Sequence, residues 1–316
     1  MLNKWAPAPV ARPAVAPRVE AAKPVAKAVK APKGNVYLLR RKELGNNCHF
    51  IADNYPGGKL KIVTAAELPA DATHVIRWGT TTRIPREAIA INRASAIEGT
   101  SDKGGFRLDC QKVGLTPRTW ATLAHLQKED FEDGNVPEAV IVRTRHHERS
   151  ENIILCKTLD EINAAMKKVA GKDYYISEYI KKDEEYRVFV ASGRAFMVFK
   201  KIPGNKNDVS WGCVEEGALE YVRWSQWPMK VVENAIKAFN VSTLDFGAAD
   251  IIVKNGKPYF LEINTAPEVW PYYGECFGSV LSYMIEKGHG VAGRIPVKTY
   301  DNWKDVIHPA MMVRHG

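Results

Sequence analysis

Asp245-Phe-Gly-Ala-Ala-Asp250-Ile-Ile-Val-Lys-Asn-Gly-Lys-Pro-Tyr-Phe-Leu-Glu262-Ile-Asn264-Thr-Ala-Pro267 sets two acids and an amide into a pair of apolar strands joined at Asn255-Gly256. At Asp250, Glu262 and Asn264 packing alone favours Val or Ile. A carboxylate in a buried strand is costly unless it is paired or holds a metal. Asp, Glu and Asn together are hard oxygen donors suited to Mg²⁺, an ion that keeps several waters and bridges to phosphate oxygens.

Strand geometry predicts how these groups meet. Side chains alternate faces, so Glu262 and Asn264 share one face. A two-residue turn at Asn255-Gly256 with regular pairing puts Asp250 opposite Leu261, on the wrong face. A three-residue loop Lys254-Asn255-Gly256, with Gly256 left-handed in a bulge, pairs Val253 with Lys257 and Asp250 with Phe260. Asp250 is then diagonal to Glu262 on a shared face, and Ile251, Val253, Leu261 and Ile263 form the apolar one. The bulged loop is the expected arrangement.

Working outward, the 316 residues suffice for two or three lobes with a sizeable core. No apolar run approaches the roughly 20 residues that span a bilayer. The basic N-terminus lacks the apolar centre and cleavage site of a secretory signal. The five cysteines, at 48, 110, 156, 213 and 276, are scattered and free of C-x-x-C pairs. Reduced thiols in a cytoplasmic setting are expected, without a disulfide framework or zinc site and with no membrane partner. The net charge of +9 is mostly a tail property: residues 1–34 hold seven Lys/Arg against Glu20 alone, which leaves +3 for the rest. Prolines at 7, 9, 13, 17, 24 and 32 make residues 1–34 read as a disordered, semi-stiff tail. Alternatively it is a basic arm for nucleic acid or another acidic partner.

A small α/β lobe is expected over 35–95, with strands at Asn35–Leu39 and Ala72–Trp78. A connecting part over 96–137 opens with Ser101-Asp102-Lys103 and a helix that turns Phe106, Cys110 and Val113 inward before Gly114. A lobe over 138–202 holds strands at Ala139–Arg143 and Ile153–Cys156. Thr158 and Glu161 there form a capping box for a helix with Leu159, Ile162, Met166 and Val169 on one face. Strands follow at Tyr174–Ile180, Tyr186–Ala191 and Ala195–Ile202. A lobe over 203–290 adds a helix after Pro228 with Val232, Ile236 and Phe239 inward, the acidic hairpin, and a helix from about 278 to Lys287. Residues 291–316 form a C-terminal extension without a clear signal.

The order of these parts resembles the ATP-grasp superfamily over about residues 100–288, most nearly its glutamate-type carboxylate–amine ligases. An acid followed twelve residues later by Glu-x-Asn and a short turn to Pro matches Asp250, Glu262 and Asn264-Thr-Ala-Pro267 in type and spacing. The resemblance implies an α/β (α+β) fold whose antiparallel sheets clasp ATP, with Asp250, Glu262 and Asn264 holding Mg²⁺ against its phosphates. It also implies that Lys103 reaches those phosphates, although a Lys before a helix is by itself an ordinary solvated charge. Glu178-Tyr179-Ile180 resembles the hinge strand that pairs with adenine, and Glu185 resembles the acid that meets the ribose. Arg187, with Lys200 or Lys201, would face phosphate or a developing acyl phosphate.

Two departures stand out. Where the family continues from a Val-Val-Lys strand into a Gly-rich loop, this chain has Val140-Ile141-Val142-Arg143 and then Thr144 to Asn152 without glycine. Arg143 can replace the Lys and chelate phosphate bidentately. Arg145, His146, His147 and Arg149 could supply side-chain charge in place of backbone donors, or be solvated. Glu268 follows Pro267 where a small residue is usual, and Trp270, Tyr272 and Tyr273 could border an acceptor site or simply pack. The resemblance implies an ATP- and Mg²⁺-dependent ligase joining a small-molecule or peptide carboxylate to an amine through an acyl phosphate. The competing readings are a phosphotransferase on the same scaffold and a catalytically lapsed binding protein tethered by its basic tail.

Overall fold

Glycine and asparagine turns and apolar alternation divide the chain into short strands around a few helices. In the computed structural model the described residues are 34–41, 48–56, 60–127, 137–146, 153–205, 207, 209–211, 218–287 and 306–311. The readings of the tail, of His147 to Asn152 and of most of the C-terminal extension lie outside them, as does that of the Tyr272 side chain. The first elements are β1 (Val36–Arg40), α1 (His49–Asp53), β2 (Lys61–Val63), β3 (His74–Trp78), β4 (Ile89–Ile91), α2 (Ala94–Ser101) and α3 (Lys103–Gln111). Next come β5 (Thr119–Trp120), α4 (Leu123–Leu126), β6 (Val140–Thr144), β7 (Ile154–Cys156), α5 (Leu159–Lys168) and β8 (Tyr174–Glu178). The remainder is β9 (Glu184–Ala191), β10 (Arg194–Ile202), β11 (Ala218–Tyr221), α6 (Met229–Ser242), β12 (Phe246–Lys254), β13 (Lys257–Asn264) and α7 (Gly274–Glu286).

These strands build three sheets: a parallel one in the order β2-β1-β3-β4, and two antiparallel ones, β5-β8-β6-β7 and β11-β10-β9-β12-β13. The α/β class with paired antiparallel sheets agrees with the expectation. The sheets part between Glu178 and Glu184, however, and not at residue 202. β9 and β10 join β12 rather than β6–β8, because antiparallel pairing of Arg187 with Asp250 and of Val188 with Ala249 claims β9 for the acidic hairpin.

In the clamp sheet β5-β8-β6-β7, Val140, Val142 and Ile176 pack with Ile162 and Ala165 of α5 and with Val169, which ends it, in a core of their own. Thr158 Oγ1 caps α5 by accepting from the Glu161 N–H at 3.2 Å, whereas Glu161 reaches back to the Lys157 N–H, so the box closes one residue early. Leu159 is 37 % exposed and lies off the apolar face expected to include it. Val113, also expected inward, is 58 % exposed because α3 ends at Gln111 and the chain turns out before Gly114. Against the five-stranded sheet, α6 packs on β9, β12 and β13, with Val232, Ile236 and Phe239 buried as expected. α7 begins at Gly274, four residues ahead of the sequence reading, and its Phe277 meets Phe189 and Phe196 edge-on.

Candidate functional site

β12 and β13 turn through two residues, not three. Asn255 and Gly256 are both left-handed (φ 50° and 73°), as a type I′ turn requires, and Lys254 pairs with Lys257. The bulge lies deeper, where Ile251 faces Phe260 but Asp250 faces Glu262, so Leu261 is the extra residue. The shared face of Asp250 and Glu262 is therefore present, but the two are directly opposite rather than diagonal. Phe260, not Leu261, takes the apolar face and is fully buried.

Pairing across the five-stranded sheet lines up three adjacent rows on one face. The central row reads Glu262, Asp250, Arg187, Phe199, Tyr221 from β13 to β11. On one side Glu185 and Lys201 stand opposite each other; on the other lie Asn264, Ala248, Phe189 and Met197. Arg187 grips Asp250 with two parallel bonds, Nε to Oδ1 at 2.8 Å and Nη2 to Oδ2 at 2.9 Å. Lys201 Nζ donates to Asp250 Oδ2 at 2.9 Å and also pairs with Glu185, whose second oxygen lies 2.6 Å from Lys182 Nζ. Burial alone would push the Asp250 carboxyl up, but Arg187 and Lys201 outweigh it and hold it well below the usual carboxylate range. For Lys182 burial wins over its pairing with Glu185, and its ammonium is pushed down.

Other lobes add cations to this face. Lys103, the first residue of α3, donates from Nζ to Glu262 Oε2 at 2.8 Å, with both side chains partly exposed. Arg143 on β6 is pushed down by burial, against the nearby Tyr175 and Glu262, which favour its charge. Asp102 caps α3 by accepting from the Gly105 N–H at 2.9 Å and binds Arg145 Nη1 at the same distance. Gly104 lets the helix approach that closely, since a Cβ there would stand 2.9 Å from Arg145 Cγ and 3.0 Å from Tyr175 Cβ. His146 beyond it is exposed.

Asp250, Glu262, Arg187, Lys201, Lys103 and Arg143 are thus brought to one place, with Asn264 in the adjoining row. Four candidates sit differently from expectation. Lys200 faces the opposite side of the sheet, bonded to Glu184 and 5.8 Å from the Tyr186 ring centre. Glu185, expected on a ribose, is 3 % exposed and engaged by two lysines, so it supports cations instead of opening to the cleft. At the hinge, the Glu178 carboxylate is held by Arg118 at 3.1 and 3.4 Å, and the Tyr179 N–H donates to Ala139 O at 2.9 Å. Residues that sequence reasoning passed over include Lys182, Arg118 and Arg107. For Arg107 a signal existed: it follows Lys103 by four residues on a helix face flanked by Phe106 and Cys110.

The donor set fits Mg²⁺. Two carboxylates and an amide project from adjacent rows of one sheet face, and the Asn264 Nδ2 is buried with no partner among the described residues. Turned over, that amide presents an oxygen at the same point. No cluster of three or more His, Cys, Asp or Glu side chains is arranged for a metal among the described residues, so a cation here would complete its shell with phosphate and water oxygens. Beside the rows Phe189, Met197, Phe199, Leu219, Val269 and Trp270 border a shallow apolar depression with room for little more than a water molecule, with Glu268 at its edge.

Residues 110–272 match the family model described as the RimK-like ATP-grasp domain. A D-alanine–D-alanine ligase of Fusobacterium nucleatum subsp. nucleatum is 29 % identical over 189 residues, 55 % of this chain and 58 % of that protein. The chain thus spans little more than half the length of that curated relative. Among solved structures, the D-alanine–D-alanine ligase of Bacillus anthracis complexed with ATP superposes with a TM-score of 0.55 at 15 % identity, covering 80 % of this chain and 99 % of that one. The ATP-grasp ligase PsnB complexed with minimal precursor, Mg and ADP gives 0.56 at 11 % identity, covering 79 % and 96 %. At such identities these structures establish a shared fold.

Proposed function

The chain belongs to the RimK-like ATP-grasp family, and on that premise we propose that it is an ATP- and Mg²⁺-dependent ligase that joins a small-molecule or peptide carboxylate to an amine. The carboxylate oxygen attacks the γ-phosphorus of ATP, giving an acyl phosphate and ADP. The amine nitrogen then attacks the acyl carbon, loses a proton and expels inorganic phosphate. Asp250, Glu262 and Asn264 would hold the metal, which when bound neutralises charge on the transferring phosphoryl group. Lys103, Arg143, Arg187 and Lys201 complement the phosphate oxygens, and Lys201 is kept in place by Glu185. The hinge segment Glu178 to Ile180 borders the adenine through its backbone, with the Glu178 carboxylate kept by Arg118 as a neighbour rather than a ligand. Positioning and charge, without a covalent enzyme intermediate, are the protein's contribution.

The row Glu262–Asp250–Arg187, with Lys103 and Lys201 on its carboxylates, carries this reading. It is a cation-rich sheet face whose acids already sit opposite each other, and Mg-ATP can exchange with these internal pairs charge for charge. Calorimetry of ATP with Mg²⁺, with EDTA and with Glu262→Gln tests it. Metal-dependent binding is expected, weakened about tenfold or more by the substitution. Hydroxylamine added with ATP and a carboxylate then yields a hydroxamate only if an acyl phosphate forms. Binding without hydroxamate across a carboxylate screen would point to phosphoryl transfer alone, and no binding at all would overturn the reading.

A further inference from the structure

Three consecutive residues of the edge strand β13 are held from outside the sheet by α3 and the segment that continues it. The Phe260 N–H donates to Leu115 O at 2.7 Å, Leu261 O accepts from Arg107 Nε at 2.9 Å, and Glu262 Oε2 accepts from Lys103 Nζ at 2.8 Å. Phe106, next to Arg107, meets Phe260 edge-on at 5.5 Å. An edge strand leaves a row of backbone groups without a strand partner, and a bulge adds an extra residue that the ladder cannot pair. Leu261 is that residue, and a guanidinium takes its carbonyl.

Arg107 also reaches the other antiparallel sheet. It is 8 % exposed, donates from Nη1 to Ser177 Oγ at 3.0 Å, and lies 5.4 Å from the Tyr175 ring centre, both residues of β8. One side chain thus touches the acidic hairpin and the strand that runs into the Glu178 hinge. A strand that slips by one residue turns every side chain to the opposite face; without the bulge Asp250 would meet Leu261. We propose that Arg107 is a positioning residue: it fixes the bulge that sets Glu262 opposite Asp250 and ties that register to β8, so that the metal ligands and the adenine hinge keep one spacing. The part concerning the metal rests on the ligase reading above; the part concerning register does not.

Two measurements on the full chain separate these parts. In Arg107→Met without nucleotide or metal, amide exchange at Leu261, Glu262 and Ile263 should quicken about tenfold while α6 amides keep their rates. By calorimetry, the ratio of the ATP dissociation constants in EDTA and in Mg²⁺ should shrink by about tenfold, with the EDTA value little changed. Arg107→Lys, whose single ammonium cannot serve both Leu261 and Ser177, should fall between. Wild-type exchange at 261–263, or quickening spread equally through α6, would overturn the proposal by reducing Arg107 to general packing. A wild-type protein that binds no ATP while the local exchange effect holds would sink the ligase reading and leave the register role standing. If Arg107→Met does not fold, Ser177→Ala loosens the same side chain and carries both readouts.

Discussion

The hairpins β9–β10 and β12–β13 each turn through two left-handed residues, Ser192-Gly193 (φ 48° and 73°) and Asn255-Gly256 (50° and 73°), and each carries a bulge farther along. In β9–β10 the extra residue is Phe196, 1 % exposed, with its ring 4.9 Å from Phe277 and 5.9 Å from Phe189. In β12–β13 it is Leu261, anchored by its carbonyl on Arg107. Aromatic packing with a backbone bond from the His308 N–H to Ala195 O secures the first bulge, and a charged donor the second. Together they assemble the charged rows. Without the first, Lys200 would stand opposite Glu185 and Lys201 would turn away from Asp250; without the second, Glu262 would turn away. The paired acids and cations on this sheet face are therefore a product of two inserted residues, one in each hairpin.

Asp250, where the two hairpins meet, should show the largest effect. Asp250→Ala takes the carboxylate from Arg187 and Lys201, whose side chains are 14 % and 8 % exposed. Breaking a buried pair in this way costs about 3–5 kcal/mol, readable by urea unfolding. The charge can be isolated with Asp250→Asn across pH. Burial raises the Asp250 carboxyl, but Arg187 and Lys201 more than reverse that, so its folded value lies below the unfolded one of about 3.9. The stabilisation is then complete above the unfolded value and lost as pH falls toward the folded one. The gap between wild type and Asp250→Asn should stay level from about pH 7 to 5 and narrow below about 4. A gap that does not change below pH 4 would mean that charge is not what Asp250 contributes.

In the first hairpin the corresponding change is milder. Phe196→Leu keeps an apolar side chain in the bulge but loses the ring contacts to Phe189 and Phe277, a cost of about 1–2 kcal/mol. Since the His308 N–H still holds Ala195 O at 2.7 Å beside this bulge, Lys201 should remain beside Asp250 and the metal dependence of nucleotide binding should hold. A collapse of that dependence would show that the aromatic cluster governs the register of the charged rows directly.

What could be read from the residues follows the same division. The α/β class, the strands and the left-handed Gly256 are legible because each rests on local chemistry: alternation, Gly at positive φ, and Thr158 as a cap. The meeting of Asp250 and Glu262 is legible too, because two acids in apolar strands demand a common polar face. The position of the bulge is not, since a residue inserted at Leu261 and one inserted at the turn restore the same parity. The choice between Lys200 and Lys201 depends likewise on the Phe196 bulge, which a run of apolar residues conceals. Partners of β9 and β10, and the reach of Arg107 to Leu261, are set by contacts more than a hundred residues apart in the second case, and no local pattern encodes them.

The turn itself should matter least. At Gly256 an added Cβ meets nothing within 4 Å, so Gly256→Ala introduces only the strain of a left-handed alanine, about 1 kcal/mol. The charged row lies on the far side of the bulge from this turn, and Leu261 is held independently through Arg107. Gly256→Ala should therefore lower stability slightly in urea while leaving the Mg²⁺ dependence of nucleotide binding as it is in the wild type. The contrast with Arg107→Met is the sharper result. If the alanine at the turn disturbed metal dependence as much as loss of the guanidinium, the register of Asp250 and Glu262 would be set from the turn inward, and the bulge would be its consequence rather than its anchor.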